Sequence, residues 1–231
     1  MNIHGIQKLT LLDYPGKVAC TIFTGGCNLR CPFCHNSPLV LPEKMIETPL
    51  NLKEIFSFLE KRKGLLDGIC LTGGEPLLQS DINDFLKKVK SLGYSVKLDT
   101  NGFFPDKLKG LAADGVIDYV AMDIKNSEEK YAKTCGVDYV DISSVKESIA
   151  FLVSGNIPYE FRTTVVRELH DEDSFHGIAK LISGAENYYL QSYVRSYNVI
   201  SDVFSDYPPE ILETFAQIVR PFVNNVSVRG I

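Results

Sequence analysis

Three cysteines lie close together in the first part of the chain, at Cys27, Cys31 and Cys34. Their spacing is C-x-x-x-C-x-x-C, and the glycines and the proline in the same stretch predict a loop. A structural zinc site and an ordinary electron-transfer iron–sulfur cluster both take four protein ligands. Three ligands on a four-iron cluster leave one iron open, where a small molecule can bind. The spacing therefore favours a [4Fe–4S] cluster with one open position.

A zinc knuckle is the alternative, with His35 as the fourth ligand. Ligation by both Cys34 and His35 would strain the backbone between them, and no second C-x-x-C pair follows in the sequence. We therefore favour the cluster. The other cysteines are scattered: Cys20 and Cys70 are predicted to pack in the core, and Cys135 is interpreted as an incidental thiol.

The stretch from Gly25 to Asn36 reads Gly-Gly-Cys-Asn-Leu-Arg-Cys-Pro-Phe-Cys-His-Asn and resembles the radical S-adenosylmethionine family. In that family an aromatic residue usually precedes the third cysteine, and Phe33 matches it. The resemblance implies that the three cysteines hold the metal cluster at the catalytic centre. It also implies that S-adenosylmethionine chelates the open iron, and it makes Phe33 a cofactor-binding candidate.

A glycine-rich turn follows the next predicted strand, at Gly73, Gly74 and Glu75. The two glycines let the backbone approach a ligand closely, and Glu75 adds a carboxylate. A strand-to-helix turn would explain the same residues. One strand after the cysteine loop, however, they resemble the family's glycine-rich motif, which holds the amino group of the methionine part of the cofactor.

Two polar pairs stand at later strand ends, Asp99 with Asn101 and Asp123 with Lys125. Each pair has an ordinary explanation: a turn before Gly102 for the first, and an ion pair for the second. A bound sulfonium compound with a carboxylate and a ribose needs an anion, a cation and acceptors for hydroxyl groups. These four side chains supply such groups.

The Leu-Asp-Thr-Asn-Gly run from Leu98 and the Met-Asp-Ile-Lys run from Met122 resemble segments of the glycyl-radical enzyme activases. There the aspartates, threonine and lysine surround S-adenosylmethionine, which adds Thr100 to the candidates, and in some members they bind a monovalent cation. Arg162 resembles an activase arginine near the same cofactor, with a salt-bridged surface arginine as the alternative. Gln191 stands where those activases can present a histidine.

The resemblance is closest to the activating proteins of anaerobic ribonucleoside-triphosphate reductase, with pyruvate formate-lyase activase next. It implies that one electron from a flavodoxin- or ferredoxin-type carrier cleaves S-adenosylmethionine. The resulting deoxyadenosyl radical would then take a hydrogen from a glycine of a partner glycyl radical enzyme. A deazaguanine-forming synthase of the same family, and a zinc- or cluster-stabilised module without enzyme activity, remain alternatives.

Apolar runs predict strands over residues 18–23, 68–72, 95–99, 118–122, 159–166 and 188–193, with helices between them. One of these helices, residues 144–154, is predicted to begin with a capping box from Ser144 to Glu147. The alternation predicts an α/β fold with a parallel sheet and helices outside it. About six units are fewer than a closed barrel needs, so we expect an open, partial TIM-type barrel; a doubly wound sheet is the alternative. The polar motifs all follow strands, at the sheet edge that carries active sites in both folds.

Composition sets the remaining limits. The chain has 231 residues, of which 45% are hydrophobic and 23% are charged, which predicts a single globular domain over residues 1–231. The net charge of −5 argues against a nucleic-acid partner. No apolar run approaches the length of about 20 residues that spans a bilayer, and the N-terminus lacks an apolar signal segment. We therefore expect a cytoplasmic protein without a membrane partner.

Overall fold

The computed structural model describes residues 1–44 and 48–231. The strands of these residues are β1 (Ile3–Thr10), β2 (Ala19–Thr24), β3 (Gly68–Gly73), β4 (Ser95–Thr100), β5 (Tyr119–Asp123), β6 (Tyr159–Val165), β7 (Asn187–Ser192) and β8 (Asn225–Arg229). The helices are α1 (Ser37–Val40), α2 (Leu52–Lys61), α3 (Ile82–Ser91), α4 (Pro105–Ala113), α5 (Tyr131–Cys135), α6 (Ile142–Val153), α7 (Glu172–Leu181) and α8 (Pro209–Val219). Short 3-10 turns cover Pro42–Lys44, Pro76–Leu78 and Glu128–Lys130.

The strands follow the order β1-β2-β3-β4-β5-β6-β7-β8 in the sheet. Strand β1 runs antiparallel to β2, whereas β2–β3, β3–β4, β6–β7 and β7–β8 are parallel pairs. From β2 onward, at least one helix separates each strand from the next. The predicted α/β class, with an open and mostly parallel sheet, is therefore confirmed, and the six predicted units correspond to β2 through β7.

Two compact units divide the chain. The first contains residues 1–28, 38–100 and 106–120. In this unit Ile22 aligns with Leu71, which aligns with Leu98, and all three side chains are fully buried. The adjacent row carries Cys70 and Lys97, which face the other side of the sheet because neighbouring residues of a strand point to opposite faces.

The second unit contains residues 29–37, 101–105 and 121–231. Its strands β6, β7 and β8 pair in register, with Phe161 aligned with Tyr188 and both side chains fully buried. Helices α7 and α8 pack together through the stacked rings of Phe175 and Phe215, whose centroids are 4.4 Å apart. This packing buries the apolar face of each helix, as the spacing of their apolar residues predicts.

Two parts of the fold differ from the sequence predictions. Residues 3–10 form the strand β1, although no strand was predicted there. The predicted capping box at Ser144 is wrong, because α6 begins earlier, at Ile142, and Asp141 is its N-cap. The Asp141 side chain accepts a hydrogen bond from the Ser143 backbone N–H at 3.1 Å. A capping box does occur in the chain, but at Asp171 and Ser174 before α7.

Candidate functional site

The start of the cysteine loop and the glycine-rich turn are joined by backbone hydrogen bonds within the first unit. The Gly74 N–H donates to the Thr24 carbonyl at 2.8 Å, and the Glu75 N–H donates to the Gly26 carbonyl at 2.8 Å. The Gly26 N–H in turn donates to the Leu39 carbonyl at 2.7 Å. The residues just before Cys27 are therefore held by the turn that follows β3.

Both glycines of this turn are required by close backbone contact. A Cβ atom at Gly73, whose φ is +120°, would lie 2.4 Å from the backbone of Thr24. A Cβ atom at Gly74 would lie 1.9 Å from the Gly26 carbonyl oxygen. No side chain fits at such distances. The structure thus gives the two glycines a role in fixing the loop, and their predicted contact with a cofactor stays a prediction.

Glu75 and Thr100 are brought together in the buried interior of the first unit. The Glu75 side chain is 1% exposed, and its Oε1 accepts hydrogen bonds from the Leu77 N–H at 3.0 Å and from the Thr100 hydroxyl at 2.9 Å. A buried carboxylate of this kind has a fixed orientation, because its partners are themselves part of regular structure. Cys27, in the same unit, is half-buried, with its Sγ 3.9 Å from the Asn28 Oδ1.

Asp99 lies beside a buried lysine that the sequence analysis did not single out. Lys97 is 2% exposed and forms an ion pair with Asp99, which is two residues further along β4 and so on the same face. The Cys70 Sγ lies 3.6 Å from Asp99 and 3.8 Å from the Lys97 Nζ. Lys97 stands between two apolar residues of a predicted buried strand. Because a lysine is almost never fully buried unless it is paired, this position could have indicated a buried ion pair.

Asp123, Lys125 and Arg162 form one charged cluster in the second unit. One carboxylate oxygen of Asp123 lies 2.6 Å from the Arg162 Nε, and the other lies 2.9 Å from the Lys125 Nζ. Burial opposes ionisation of Asp123, but the two cations bring the pKa of that carboxyl well below its usual range. Burial likewise acts to lower the pKa of Lys125, and the charge of Asp123 outweighs it and raises that pKa. The cluster brings two cationic side chains to one carboxylate, and cationic side chains of this kind can bind the carboxylate of a ligand.

Cys31 and Cys34 lie in the same unit as this cluster. The Cys34 N–H donates to the Cys31 carbonyl at 2.9 Å, which forms a tight turn between them. A hydrogen bond from the Cys135 side chain is the main reason that the pKa of the Cys31 thiol falls to about 7, and the charge of Lys125 acts in the same direction. Burial instead raises the pKa of Cys34. Cys135 and Cys31 are far apart in the chain, so residue spacing could not have suggested that Cys135 lowers the pKa of the Cys31 thiol.

Phe33 and His35 flank Cys34, and each ring contacts another aromatic ring, although Phe33 is buried and His35 is exposed. Phe33 is buried and meets Phe204 edge to face, with ring centroids 6.5 Å apart. His35, the alternative zinc ligand, lies edge to face with Tyr193 at 5.3 Å, and partial burial lowers the pKa of its ring. The described contact of the His35 ring is with an aromatic ring, so the packing gives no support for His35 as a fourth metal ligand.

The last two candidates are Asn101 and Gln191. Asn101 is buried, and its Oδ1 accepts a hydrogen bond from the Phe103 N–H at 3.2 Å, which is the turn-forming role considered above. Gln191 pairs with Thr164 on β6 and lies on the same face of the sheet as Arg162, two residues earlier on that strand.

The donor chemistry of the cysteine loop fits a thiolate-bound metal group. Its three cysteines are free thiols, as are the other described cysteines. Within residues 1–44 and 48–231, no three or more His, Cys, Asp or Glu side chains stand together in an arrangement that would hold a metal ion. The assignment of the three cysteines as ligands therefore rests on their spacing, and it stays a prediction. No helix of the described residues is long and apolar enough to cross a membrane.

Comparison with known proteins identifies a family for most of the fold. Residues 21–181 match the Radical SAM superfamily. The chain is 32% identical to a candidate glycyl-radical enzyme activating enzyme of Methanocaldococcus jannaschii, over 99% of this chain and 96% of that protein. It is also 31% identical to the pyruvate formate-lyase-activating enzyme of Clostridium pasteurianum, over 55% of this chain and 54% of that protein.

A solved structure supports the fold independently. Streptococcus suis SuiB bound to S-adenosylmethionine superposes with a TM-score of 0.67 and 14% identity, over 89% of this chain and 48% of that one. At this level of identity the likeness shows the fold alone. It agrees with the open, partial barrel that the sequence analysis expected.

Proposed function

This chain belongs to the radical SAM superfamily and is an enzyme of that class, and we propose that it activates a glycyl radical enzyme, most specifically anaerobic ribonucleoside-triphosphate reductase. The observation that carries the proposal is the similarity to a candidate glycyl-radical enzyme activating enzyme over 99% of the chain. We treat residues 1–231 as one radical SAM domain for this activity.

The cofactors follow from the family and from the donor set. Radical SAM enzymes use an iron–sulfur cluster and S-adenosylmethionine. We assign Cys27, Cys31 and Cys34 as the ligands of a [4Fe–4S] cluster, because three thiolates leave one iron for the sulfonium compound. When bound, the two groups supply the reductive cleavage of S-adenosylmethionine and the radical that removes hydrogen from a partner glycine.

The protein's own residues would bind and orient the cofactor. The cationic side chains of Lys125 and Arg162, held together by Asp123, suit the carboxylate of the methionine part. Glu75, whose carboxylate is fixed by Leu77 and Thr100, suits the amino group.

The remaining candidates would act on the rest of the cofactor. Asp99, Thr100 and Asn101 offer oxygen atoms for ribose hydroxyls, and Gln191 offers an amide on the face that carries Arg162. Phe33 would help to exclude water from the cluster, because its ring is buried against Phe204.

Pyruvate formate-lyase is the second candidate partner, favoured by the match to the Clostridium pasteurianum activating enzyme. The decisive experiment is anaerobic incubation of the reconstituted protein with a chemical reductant, S-adenosylmethionine and each purified partner in turn, read by electron paramagnetic resonance. We expect a glycyl doublet with the reductase. The matched control is the same partner with its radical-site glycine changed to alanine, which should give no signal.

The outcomes separate the alternatives. A doublet only with pyruvate formate-lyase would move the assignment to that enzyme. Cleavage of S-adenosylmethionine that is accelerated by a pterin, with no doublet on either partner, would favour a deazaguanine-forming synthase. A flavodoxin- or ferredoxin-type protein is the proposed natural donor, and replacing the chemical reductant by each one tests it. We place the reaction in the cytoplasm, because cluster thiolates need reducing conditions.

The ligand assignment has its own test. Anaerobic reconstitution should give about four irons per chain, and Cys31→Ala should lose this iron while its circular dichroism spectrum stays unchanged. Zinc without iron in the wild-type protein would support the zinc module instead. Retained iron and retained cofactor cleavage in Cys31→Ala would contradict the assignment.

A further inference from the structure

Lys125 follows the end of β5, in a short segment outside any helix or strand. Strand β6 holds the residue before it. The Ile124 N–H donates to the Arg162 carbonyl at 2.8 Å, and the Ile124 carbonyl accepts from the Thr163 hydroxyl at 2.7 Å. These bonds fix the backbone on the N-terminal side of Lys125. The bonds on the other side come from the turn that follows β6.

This turn, at residues 166–170, contacts Lys125 through His170. The histidine is 2% exposed, with its Nε2 at 2.9 Å from the Lys125 carbonyl oxygen and its Nδ1 at 3.1 Å from the Val166 nitrogen. A carbonyl can only accept, so Nε2 carries the proton and donates it to Lys125. Nδ1 then accepts the Val166 N–H, and burial lowers the pKa of His170, which favours this neutral ring.

The same turn also holds the residue after Lys125. Asn126 is fully buried, and its amide nitrogen donates to the Leu169 carbonyl and to the Thr134 hydroxyl, each at 2.9 Å. Three consecutive residues, 124 to 126, are therefore each tied to another part of the second unit. Because these bonds are buried, water does not readily replace them. Of these bonds, the one from His170 acts on Lys125 itself.

The position of this backbone affects the charged cluster. The Lys125 Nζ lies 2.9 Å from one oxygen of Asp123, and the Arg162 Nε lies 2.6 Å from the other oxygen. Charge-assisted hydrogen bonds need good geometry, so a ligand carboxylate binds both cations well only when their separation is fixed. Without the bond from His170, the Lys125 carbonyl would lose its partner and the ammonium could shift.

We propose that His170 is a positioning residue that holds the backbone of Lys125, so that the Lys125 ammonium meets the carboxylate of S-adenosylmethionine. His170 acts through this one bond, because both of its ring nitrogens already have protein partners. Selectivity for a ligand with a carboxylate thus depends on a residue 45 positions further along the chain. The inference rests on the proposed binding of S-adenosylmethionine by Lys125 and Arg162.

The test compares two ligands by anaerobic titration calorimetry of the full-length, reconstituted protein. The probes are S-adenosylmethionine and decarboxylated S-adenosylmethionine, which lacks only the carboxylate. His170→Asn keeps an acceptor for the Val166 N–H but is too short to reach Lys125, and His170→Leu removes both polar groups. In these two variants we expect the affinity for S-adenosylmethionine to fall about tenfold, as for the loss of one hydrogen bond, and that for the decarboxylated compound to stay unchanged.

His170→Gln should behave like the wild type with both ligands, because its amide can donate where Nε2 does. His176→Asn is the matched control, since His176 is an exposed histidine on α7, and it should change neither affinity.

The outcomes separate a positioning role from a structural one. Equal losses for the two ligands, or unchanged affinities in both His170→Asn and His170→Leu, would overturn the proposal. If one of these variants does not fold, the other carries the comparison. If neither folds while His170→Gln does, His170 serves the fold and the proposal is wrong. A wild type that binds neither ligand would instead refute the proposed cofactor site, and the role of His170 with it.

Discussion

At the scale of single residues, the Asp123 carboxylate keeps two cations close to each other. Asp123→Asn keeps the shape of the side chain but leaves Lys125 and Arg162 with no negative charge between them. Because all three groups are partly exposed, we expect a loss of about 1–3 kcal/mol of unfolding free energy, less than for a fully buried pair. Urea denaturation of the cluster-free protein measures it.

The control for this prediction is Asp114→Asn, which breaks a more exposed ion pair with Lys87, 3.0 Å away. It should cost less than Asp123→Asn does, because exposed ion pairs contribute little to stability. Equal losses in the two variants would show that the Asp123 cluster adds no more stability than a surface pair.

The buried histidine His170 predicts a pH dependence of stability. Its Nδ1 accepts the Val166 N–H at 3.1 Å and its Nε2 lies 2.9 Å from the Lys125 carbonyl, so the neutral ring satisfies both. Burial lowers the pKa of His170 below 6.5, with opposing effects from nearby hydrogen bonds and Asp171. The unfolded chain therefore binds the proton more readily than the folded chain does. The contribution of neutral His170 to the unfolding free energy is complete above about pH 6.5. It is lost as the pH falls from there toward the folded-state pKa.

The measurement is urea denaturation of the wild type and His170→Gln between pH 8 and pH 5.5, in roughly half-unit steps. The wild type should lose up to about 1.4 kcal/mol more per pH unit than the variant below pH 6.5. Parallel pH profiles for the two proteins would contradict the prediction.

The sequence predicts candidate site residues only where they lie close together in the chain and form a recognisable motif. The three cysteines and the Gly-Gly-Glu turn stand out because they are close in the chain. Lys97 escaped notice because a single charge in an apolar strand has no motif of its own. Cys135 escaped notice because Cys31, whose thiol pKa it lowers, is distant in sequence.

At the scale of elements, the turn after β3 tests how tightly the cysteine loop is held. Gly74→Ala would place a methyl group 1.9 Å from the Gly26 carbonyl oxygen. Since backbone cannot yield as a flexible side chain does, we expect a loss of about 2 kcal/mol or more. Gly110→Ala is the control, because a Cβ atom there meets nothing within 4 Å.

Gly110 lies inside helix α4, where alanine is the better helix former. Its substitution should raise the unfolding free energy by about 0.4–1 kcal/mol. Both variants are measured by urea denaturation of cluster-free protein. A neutral Gly74→Ala would show that the loop can move away from the turn.

The N-terminus of α6 gives a second test at this scale. Asp141→Ala removes the observed cap and should lower the unfolding free energy measurably, whereas Ser144→Ala should change it by less than about 0.5 kcal/mol. Thermal and urea unfolding measure both. The reverse order would restore the capping box that the sequence suggested. Both patterns satisfy the same capping rule, so local sequence alone could not choose between them.

At the scale of the whole molecule, cofactor binding should raise thermal stability. A ligand that binds only the folded state, at about 100 times its dissociation constant, adds about 2.7 kcal/mol, or roughly 5–10 °C in Tm for a chain of this size. Anaerobic reconstitution should therefore raise the Tm of the wild type, and removal of iron by a chelator should reverse it.

Cys31→Ala is the control for this measurement, and its Tm should not respond to iron. An equal rise in Tm for the variant would mean that iron stabilises the protein at another place.

The overall fold was largely predictable because alternating apolar strands and amphipathic helices specify a parallel α/β sheet. Strand ends were correct to within a residue or two, for example Ser95–Thr100 against the predicted 95–99. Strand β1 was missed because most of its side chains are partly exposed, so it lacks a continuous apolar run. The division into two compact units has no marker in the composition, since no linker-like segment separates them.

The backbone bonds between the Gly-Gly-Glu turn and residues 24–26 have a consequence for protein engineering. The two segments depend on each other, because adding or deleting one amino acid in either would shift the backbone hydrogen bonds that join them out of register. A designer who transplants the three-cysteine stretch into a new scaffold must carry the turn along with it. The two segments should be copied, and exchanged between homologues, as a single cassette.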